Sequence, residues 1–154
     1  MTTIIHISKE EVYDKAMRLA DYTGSKVPEE QSQNGDVYDR IAITDHDKEL
    51  LDGYWDSGVT IMQEHLKNHL GPESSASAYY EQVVNLSKGF DTAKTSSVAQ
   101  NMRDFMTNYV LGQWFTVTNK EGSTDLFATA VENLKSADRI LYSRMKPQLP
   151  SKKS

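Results

Sequence analysis

Cysteine is absent from this chain of 154 residues, and no apolar run approaches the length of a membrane-spanning helix, about 20 residues. Without cysteine the chain has neither disulfides nor thiolate metal ligands, and a reducing compartment is permitted. The first ten residues, MTTIIHISKE, have no basic start and no long apolar core, so we expect no signal peptide. The sequence therefore predicts neither a membrane span nor a disulfide framework.

Basic residues are outnumbered by acidic ones. Lys and Arg total 17 against 22 Asp and Glu, which gives a net charge of −5. A protein that binds nucleic acid without specificity usually has a basic surplus, so this balance argues against that class. An acidic protein is still suited to a place beside DNA to which the DNA must not adhere.

The sequence motifs of common enzymes are also missing. The eight glycines are scattered, and neither G-x-G-x-x-G nor G-K-[ST] occurs, so no phosphate-binding loop is predicted. No serine elbow occurs, and there is no cysteine to act as a nucleophile. The sequence predicts no catalytic residues and no cofactor.

Hydrophobic periodicity predicts a mainly α-helical chain. Capping boxes at Ser8–Glu11 and Thr44–Asp47 mark two helix starts, and Gly71 in a left-handed cap followed by Pro72 ends the second helix. The predicted helices span residues 8–22, 45–70, about 95–118 and 124–146. A polar loop at residues 23–36 follows the first helix, and a tight turn at residues 118–123 joins the last two helices.

Two segments have β character. TTIIHI at residues 2–7 is a short β-rich lead-in, and YYEQVVNLSKGF at residues 79–90 predicts a strand or hairpin arm. The predicted fold is therefore a four-helix bundle with a small β strand or hairpin between helices 2 and 3. We expect one domain over residues 1–147 and a flexible tail over residues 148–154.

The segment NYVLGQWFTV at residues 108–117 has more apolar surface than one helix face needs. At about 100° per residue, the stripe from Val98 to Gly112 defines one side of the third helix, and the lack of a side chain at Gly112 lets another backbone come close. The off-stripe residues are either buried by the fourth helix and the β element, or packed on a neighbouring copy. The interface candidates are Leu111, Trp114 and Phe115 of this segment, with Tyr79 and Tyr80 of the β element.

His65 and His69 are four residues apart in the predicted second helix, a spacing that can hold zinc. The metalloprotease motif needs a Glu directly after the first His, and here that Glu is missing. Histidines near a helix C-terminus also interact favourably with the helix dipole. We expect no metal site. If one exists, these two histidines are the weak candidates for its ligands.

An acidic cluster runs through the start of the second helix. The calcium-binding EF-hand spacing and its glycine are missing, so a solvated acidic face is the preferred interpretation. Two of the residues suit the first turn of a helix. The cluster comprises Asp36, Asp39, Asp45, Asp47 and Asp52.

Taken in order, three blocks resemble a known class of structural protein. They are VYDRIAITDHDKELLDGYWDSG at residues 37–58, VVNLSKGFDTAKTSSVAQNMRDFMTNYVLGQWFTVTNKE at residues 83–121, and ILYSRMKP at residues 140–147. The chain resembles the head–tail connector (adaptor or ring) proteins of tailed bacteriophages. Within that group it is most similar to the ring proteins of crAss-like phages of gut Bacteroides.

The resemblance implies a connector-like bundle without enzymatic activity. In this family, usually about twelve copies form a closed ring beneath the portal by head-to-tail contacts. The ring extends the channel through which genomic DNA passes without specific binding, and the tail docks on it. The implied partners are further copies, the portal and neighbouring connector or tail proteins, without a membrane. The implied location is the virion, after synthesis in the host bacterial cytoplasm.

Segments 23–36 and 148–154 would then be candidate contacts to adjacent rings that become ordered on assembly. Two alternatives to a ring protein remain open. The first is a small helical binding or regulatory module that forms a dimer. The second is a small metal enzyme that uses His65 and His69.

Overall fold

The computed structural model describes residues 1–26 and 42–144. The strands are β1 (Thr2–Ser8), β2 (Leu70–Glu73) and β3 (Tyr79–Asn85), and the helices are α1 (Lys9–Lys26), α2 (Lys48–His65), α3 (Thr95–Thr118) and α4 (Lys120–Tyr142). Short 3-10 turns lie at Asp45–Asp47, Lys67–His69 and Thr92–Lys94. The prediction of a mainly helical chain, with four helices and a small β element between helices 2 and 3, is confirmed. The tail at 148–154 and the predicted end of the domain at 147 lie outside the described residues.

The β element is a three-stranded antiparallel sheet in the order β1-β3-β2. β1, the β-rich lead-in, pairs with β3 over its whole length, from Thr2 opposite Asn85 to Ser8 opposite Tyr79. The sequence does not predict β2, because the motif Gly71-Pro72 indicates a helix end. Proline is tolerated in an edge strand, where its missing N–H leaves no gap in the ladder.

The capping residues act as the sequence predicts. The Ser8 hydroxyl accepts a hydrogen bond from the Glu11 N–H at 3.3 Å, and the Asp47 carboxylate accepts one from the Thr44 N–H at 2.8 Å. Helix α1 continues to Lys26, beyond its predicted end, so only residues 27–36 of the predicted polar loop remain, and these lie outside the described residues.

The predicted turn between the last two helices is reduced to Asn119. Its N–H donates to the Phe115 carbonyl, and its own carbonyl accepts from the Gly122 N–H. A Cβ at Gly122 would lie 3.0 Å from the Phe115 ring, so the bare glycine lets the first turn of α4 pack against the end of α3. Helix α4 therefore begins at Lys120 rather than at Thr124.

Helix α3 is the centre of the core, and it packs against α4, α2, α1 and β1. One face of the sheet covers it through the buried side chains Ile5, Ile7 and Val84. The buried residues of α3 lie on all sides of the helix: Val98, Ala99, Met102, Phe105, Met106, Thr107, Tyr109, Val110, Leu111, Gly112, Trp114 and Phe115. The chain itself therefore covers the extra apolar surface of this helix.

The crossing of α3 and α4 depends on Gly112. A Cβ there would lie 2.9 Å from Cε1 and 3.1 Å from Cδ1 of the Phe127 ring. The close neighbour is thus an aromatic ring and not the backbone that the sequence suggested. Gly53 in α2 has nothing within 4 Å of the corresponding position.

We expect Gly112→Ala to be less stable than Gly53→Ala by about 1–3 kcal/mol in the free energy of unfolding, because the added methyl group overpacks the Phe127 contact. Both glycines lie inside helices, so the gain in helix propensity, about 0.5–1 kcal/mol, cancels in the difference. Urea unfolding of the two variants and the parent measures this difference in the free energy of unfolding. Equal stabilisation by both substitutions would contradict the close crossing.

Candidate interaction surface

Four of the five predicted interface residues belong to the core of the single chain. The exposed fractions are 2% for Leu111, 6% for Trp114, 4% for Phe115 and 1% for Tyr80. The first of the two alternatives, burial by the chain itself, describes the crowded end of α3. Contact of these residues with a neighbouring copy stays a prediction, and it would involve side chains that the protomer already encloses.

Tyr79 lies on the opposite face of the sheet from Tyr80 because successive side chains of a strand alternate. Its ring packs on the His6 ring of β1 with centroids 4.9 Å apart. His6 Nδ1 is 3.1 Å from a carboxylate oxygen of Glu81. Tyr79 is therefore the predicted interface residue that lies on accessible surface.

The outer face of the sheet is open over its N-terminal strand. Ile4 is 61% exposed, and it lies opposite the half-buried Val83 of β3. Exposed large apolar side chains in a group mark interaction sites more often than single ones do. The sequence reasoning missed this face, because Ile4 and Ile5 are adjacent apolar residues and no local pattern decides which of them the core buries.

The outer edge of β1 carries backbone groups that do not pair within the sheet. The Leu86 N–H donates to the Met1 carbonyl, and the Lys9 N–H donates to the Ala78 carbonyl. In an antiparallel pair the bonds alternate between the two sides of a strand, so the N–H and C=O groups of the even-numbered residues point away from β3. The Arg103 guanidinium, 3.3 Å from the His6 carbonyl, lies on that outer side.

The opposite edge of the sheet is built differently. β2 has four residues, includes Pro72, and has a register shift where it pairs with β3. The buried Gln82 side chain donates from its amide nitrogen to the carbonyls of Gly71 at 2.6 Å and Pro72 at 3.2 Å. Short length, proline and bulges are devices by which proteins prevent pairing at an edge.

A polar cleft lies between α1, α2 and the start of β3. Lys9 and Tyr79 line both of its parts, which have cavity volumes of about 490 and 540 Å³. The Tyr13 hydroxyl donates to the Asp52 carboxylate, which also lies 3.4 Å from the Lys9 ammonium. The same ammonium sits over the Trp55 ring at 5.6 Å.

The hydrogen bond between Tyr13 and Asp52 in this cleft is a structural contact. Burial, and then the hydrogen bond and negative charge of Asp52, raise the pKa of Tyr13 above its ordinary value. At neutral pH Tyr13 is therefore a protonated hydrogen-bond donor rather than a base or a nucleophile. The contact joins α1 to α2.

The weak metal candidates are separated by the structure. α2 ends at His65, which is exposed, and the 3-10 turn that follows carries His69 into the interior at 7% exposure. The prediction that both share one helical face is wrong, because the helix ends between them. His69 Nε2 lies 3.0 Å from the Asp138 carboxylate. Within residues 1–26 and 42–144, no group of three or more metal-ligating side chains is placed to hold an ion.

The described members of the acidic cluster make different contacts. Asp45 and Asp47 lie in the first turn before α2, as the helix-start explanation predicts. Asp52 instead contacts Tyr13 and Lys9. Positions 36 and 39 lie outside the described residues.

The chain matches no protein-family model, no curated protein and no solved structure. In the part of the chain that the structure describes, no helix is both long and apolar enough to cross a membrane.

We expect alkaline pH to destabilise the protein through its buried tyrosines. Burial raises the pKa of Tyr80 to about 12, above the ordinary value of 10.0. The unfolded chain therefore loses this proton first, and the free energy of unfolding falls as the pH rises from about 10 towards 12. Tyr80→Phe should make that fall shallower in urea unfolding between pH 8 and 12. Tyr22→Phe, at a ring that is 62% exposed, is the control, and an equal effect of both would disprove the assignment.

We expect Asp138→Ala to lower the free energy of unfolding by about 1–3 kcal/mol, because it leaves a buried imidazole N–H of His69 without its partner. Glu132→Ala is the matched control on α4, since its contacts with Lys135 and Arg139 are exposed and its effect should stay within about 0.5 kcal/mol. Thermal and urea unfolding measure both variants. Equal effects would mean that the His69 contact is not structural.

Proposed function

We propose that this chain is a virion structural protein. It is a subunit of a closed ring between the portal and the tail of a tailed bacteriophage. The ring extends the DNA channel and docks the tail. The subunit acts without catalysis or a cofactor, is made in the host bacterial cytoplasm, and resides at the head–tail junction.

One observation of the structure supports an assembling subunit above the others. The described residues cover one face of the sheet and leave the other face and the β1 edge open. Such an open strand binds other chains through main-chain hydrogen bonds. The polar cleft beside it holds a tyrosine–aspartate contact between two helices rather than an acid–base pair.

The choice of a ring, and of its place, rests on the resemblance of the three sequence blocks to head–tail connectors. The net charge of −5 is compatible with a channel wall along which DNA slides. A ring closed by rotation needs two different complementary surfaces on each subunit. The β1 edge is compatible with one of these two surfaces.

A second candidate function is a helical binding module that acts as a dimer. The uncharged edge strand TTIIHIS favours it, because this strand is able to pair with a copy of itself. A dimer and a ring differ in mass and in response to a portal. The metal-enzyme alternative has no support from the positions of His65 and His69, which the end of α2 separates.

We expect the chain to form closed rings of about twelve copies when mixed with its portal. Light scattering gives the mass across a concentration series, and negative-stain images of the same peaks reveal ring closure. A portal from an unrelated phage is the control. Rings or portal-bound rings support the proposal. A chain that stays a dimer and does not bind the portal supports the binding module, and a chain that neither assembles nor binds the portal contradicts the ring.

A further inference from the structure

We infer that β1 of one copy pairs antiparallel with β1 of a second copy, joining two three-stranded sheets into one continuous sheet. This contact goes beyond the proposed ring. It concerns the free protein in solution, and it holds whether or not the chain later joins a portal.

In the described part of the chain, the backbone of β1 has unpaired N–H and C=O groups on its outer edge that can form hydrogen bonds with a second strand. The outward-pointing N–H and C=O groups belong to Thr2, Ile4 and His6, because the odd-numbered residues bond to β3. Among the described residues, the Arg103 guanidinium is the group that donates a hydrogen bond to this edge of β1. It donates to the His6 carbonyl and to no other backbone group of the strand. That carbonyl keeps a second lone pair. Ile4 and His6 are exposed, so a second strand can approach.

The two edges of this sheet provide an internal comparison. The β2 edge is short, contains Pro72, and is bulged, with Gln82 bound to its carbonyls. The β1 edge is seven residues long, regular in register, and free of proline and of Lys, Arg, Asp and Glu. Proteins protect edge strands that must stay unpaired. Within residues 1–26 and 42–144, the β2 edge has these protective features and the β1 edge lacks them, which points to pairing at β1.

The sequence of β1 favours a second copy as the partner. Antiparallel pairing centred on Ile4 places Ile4 opposite Ile4 of the other copy, and Thr2 opposite His6. No carboxylate or ammonium side chain of the strand meets a like charge. Ile4 also lies opposite Val83 within its own sheet, so the joined sheet carries an unbroken apolar row of two isoleucines between two valines.

The size of the contact sets its strength. A strand pair with this row is smaller than the roughly 800 Å² per partner that specific stable interfaces bury. We therefore expect a concentration-dependent dimer rather than an obligate one. The mass should rise from 17.4 kDa towards twice that value as the concentration increases.

The first test uses paired variants. Ile4→Lys places two ammonium groups opposite each other and should weaken the dimer at least tenfold by light scattering. Val131→Lys on α4 is the matched control, because Val131 is 45% exposed and lies outside the sheet, and it should leave the dimer unchanged. Both variants should keep the parent's thermal midpoint, since each replaces an exposed side chain. A parent that stays at 17.4 kDa throughout, or equal effects of the two variants, would overturn the inference.

The second test fixes the register and separates edge pairing from stacking of the outer sheet faces. Because the chain has no cysteine, Ile4→Cys introduces a unique thiol that should form a dimer disulfide on mild oxidation, whereas Val131→Cys should not. In the parent, the amide protons of Ile4 and His6 should exchange more slowly at high concentration than at low concentration. Cross-linking without this added protection would mean that the faces stack, and the edge inference would then be wrong. The portal experiment tests ring formation, whereas these variants test β1 pairing, so either proposal can fail without the other.

Discussion

Helix α3 has to be covered on every side, and most of the architecture follows from that requirement. Between Phe105 and Phe115, nine of its eleven residues are buried, so this half of the helix has no polar stripe for solvent. One amphipathic partner cannot bury such a helix, so α1, α2, α4 and one face of the sheet surround it. The crowded residues Leu111, Trp114 and Phe115 belong to the buried core of this arrangement. The demand for apolar contacts is satisfied inside the protomer.

The same demand explains why the sheet is one-sided. Its inner face supplies Ile5, Ile7 and Tyr80 to the core, and no further layer of the described chain covers the outer face. A three-stranded antiparallel sheet is stable with one solvated face, provided that its edges are controlled. The β2 edge has several features that prevent pairing with another strand, and the described part of the β1 edge has few. This asymmetry is the basis for proposing a contact at the N-terminal strand, away from the aromatic residues that the sequence suggested.

Polar contacts between elements fix how these elements are oriented. Asp52 holds Tyr13 and Lys9 where α1 crosses α2, and Asp138 holds His69 where the 3-10 turn meets α4. A buried histidine or tyrosine needs such a partner because an unpaired buried polar group is costly. Two of the residues that suggested a metal or calcium site, His69 and Asp52, therefore make structural contacts.

Local signals in the sequence by themselves determined much of the fold. Periodicity and capping at Ser8 and Thr44 located the helices, and Tyr and Val enrichment located β3, because each depends on residues within a turn or two. The remaining features depend on contacts between parts of the chain that are distant in sequence. Helix α4 starts early because Gly122 admits the Phe115 ring, and Gly71-Pro72 becomes a strand because β3 and Gln82 bind it from elsewhere in the chain. Burial of Trp114 and exposure of Ile4 likewise depend on distant elements, which no local pattern encodes.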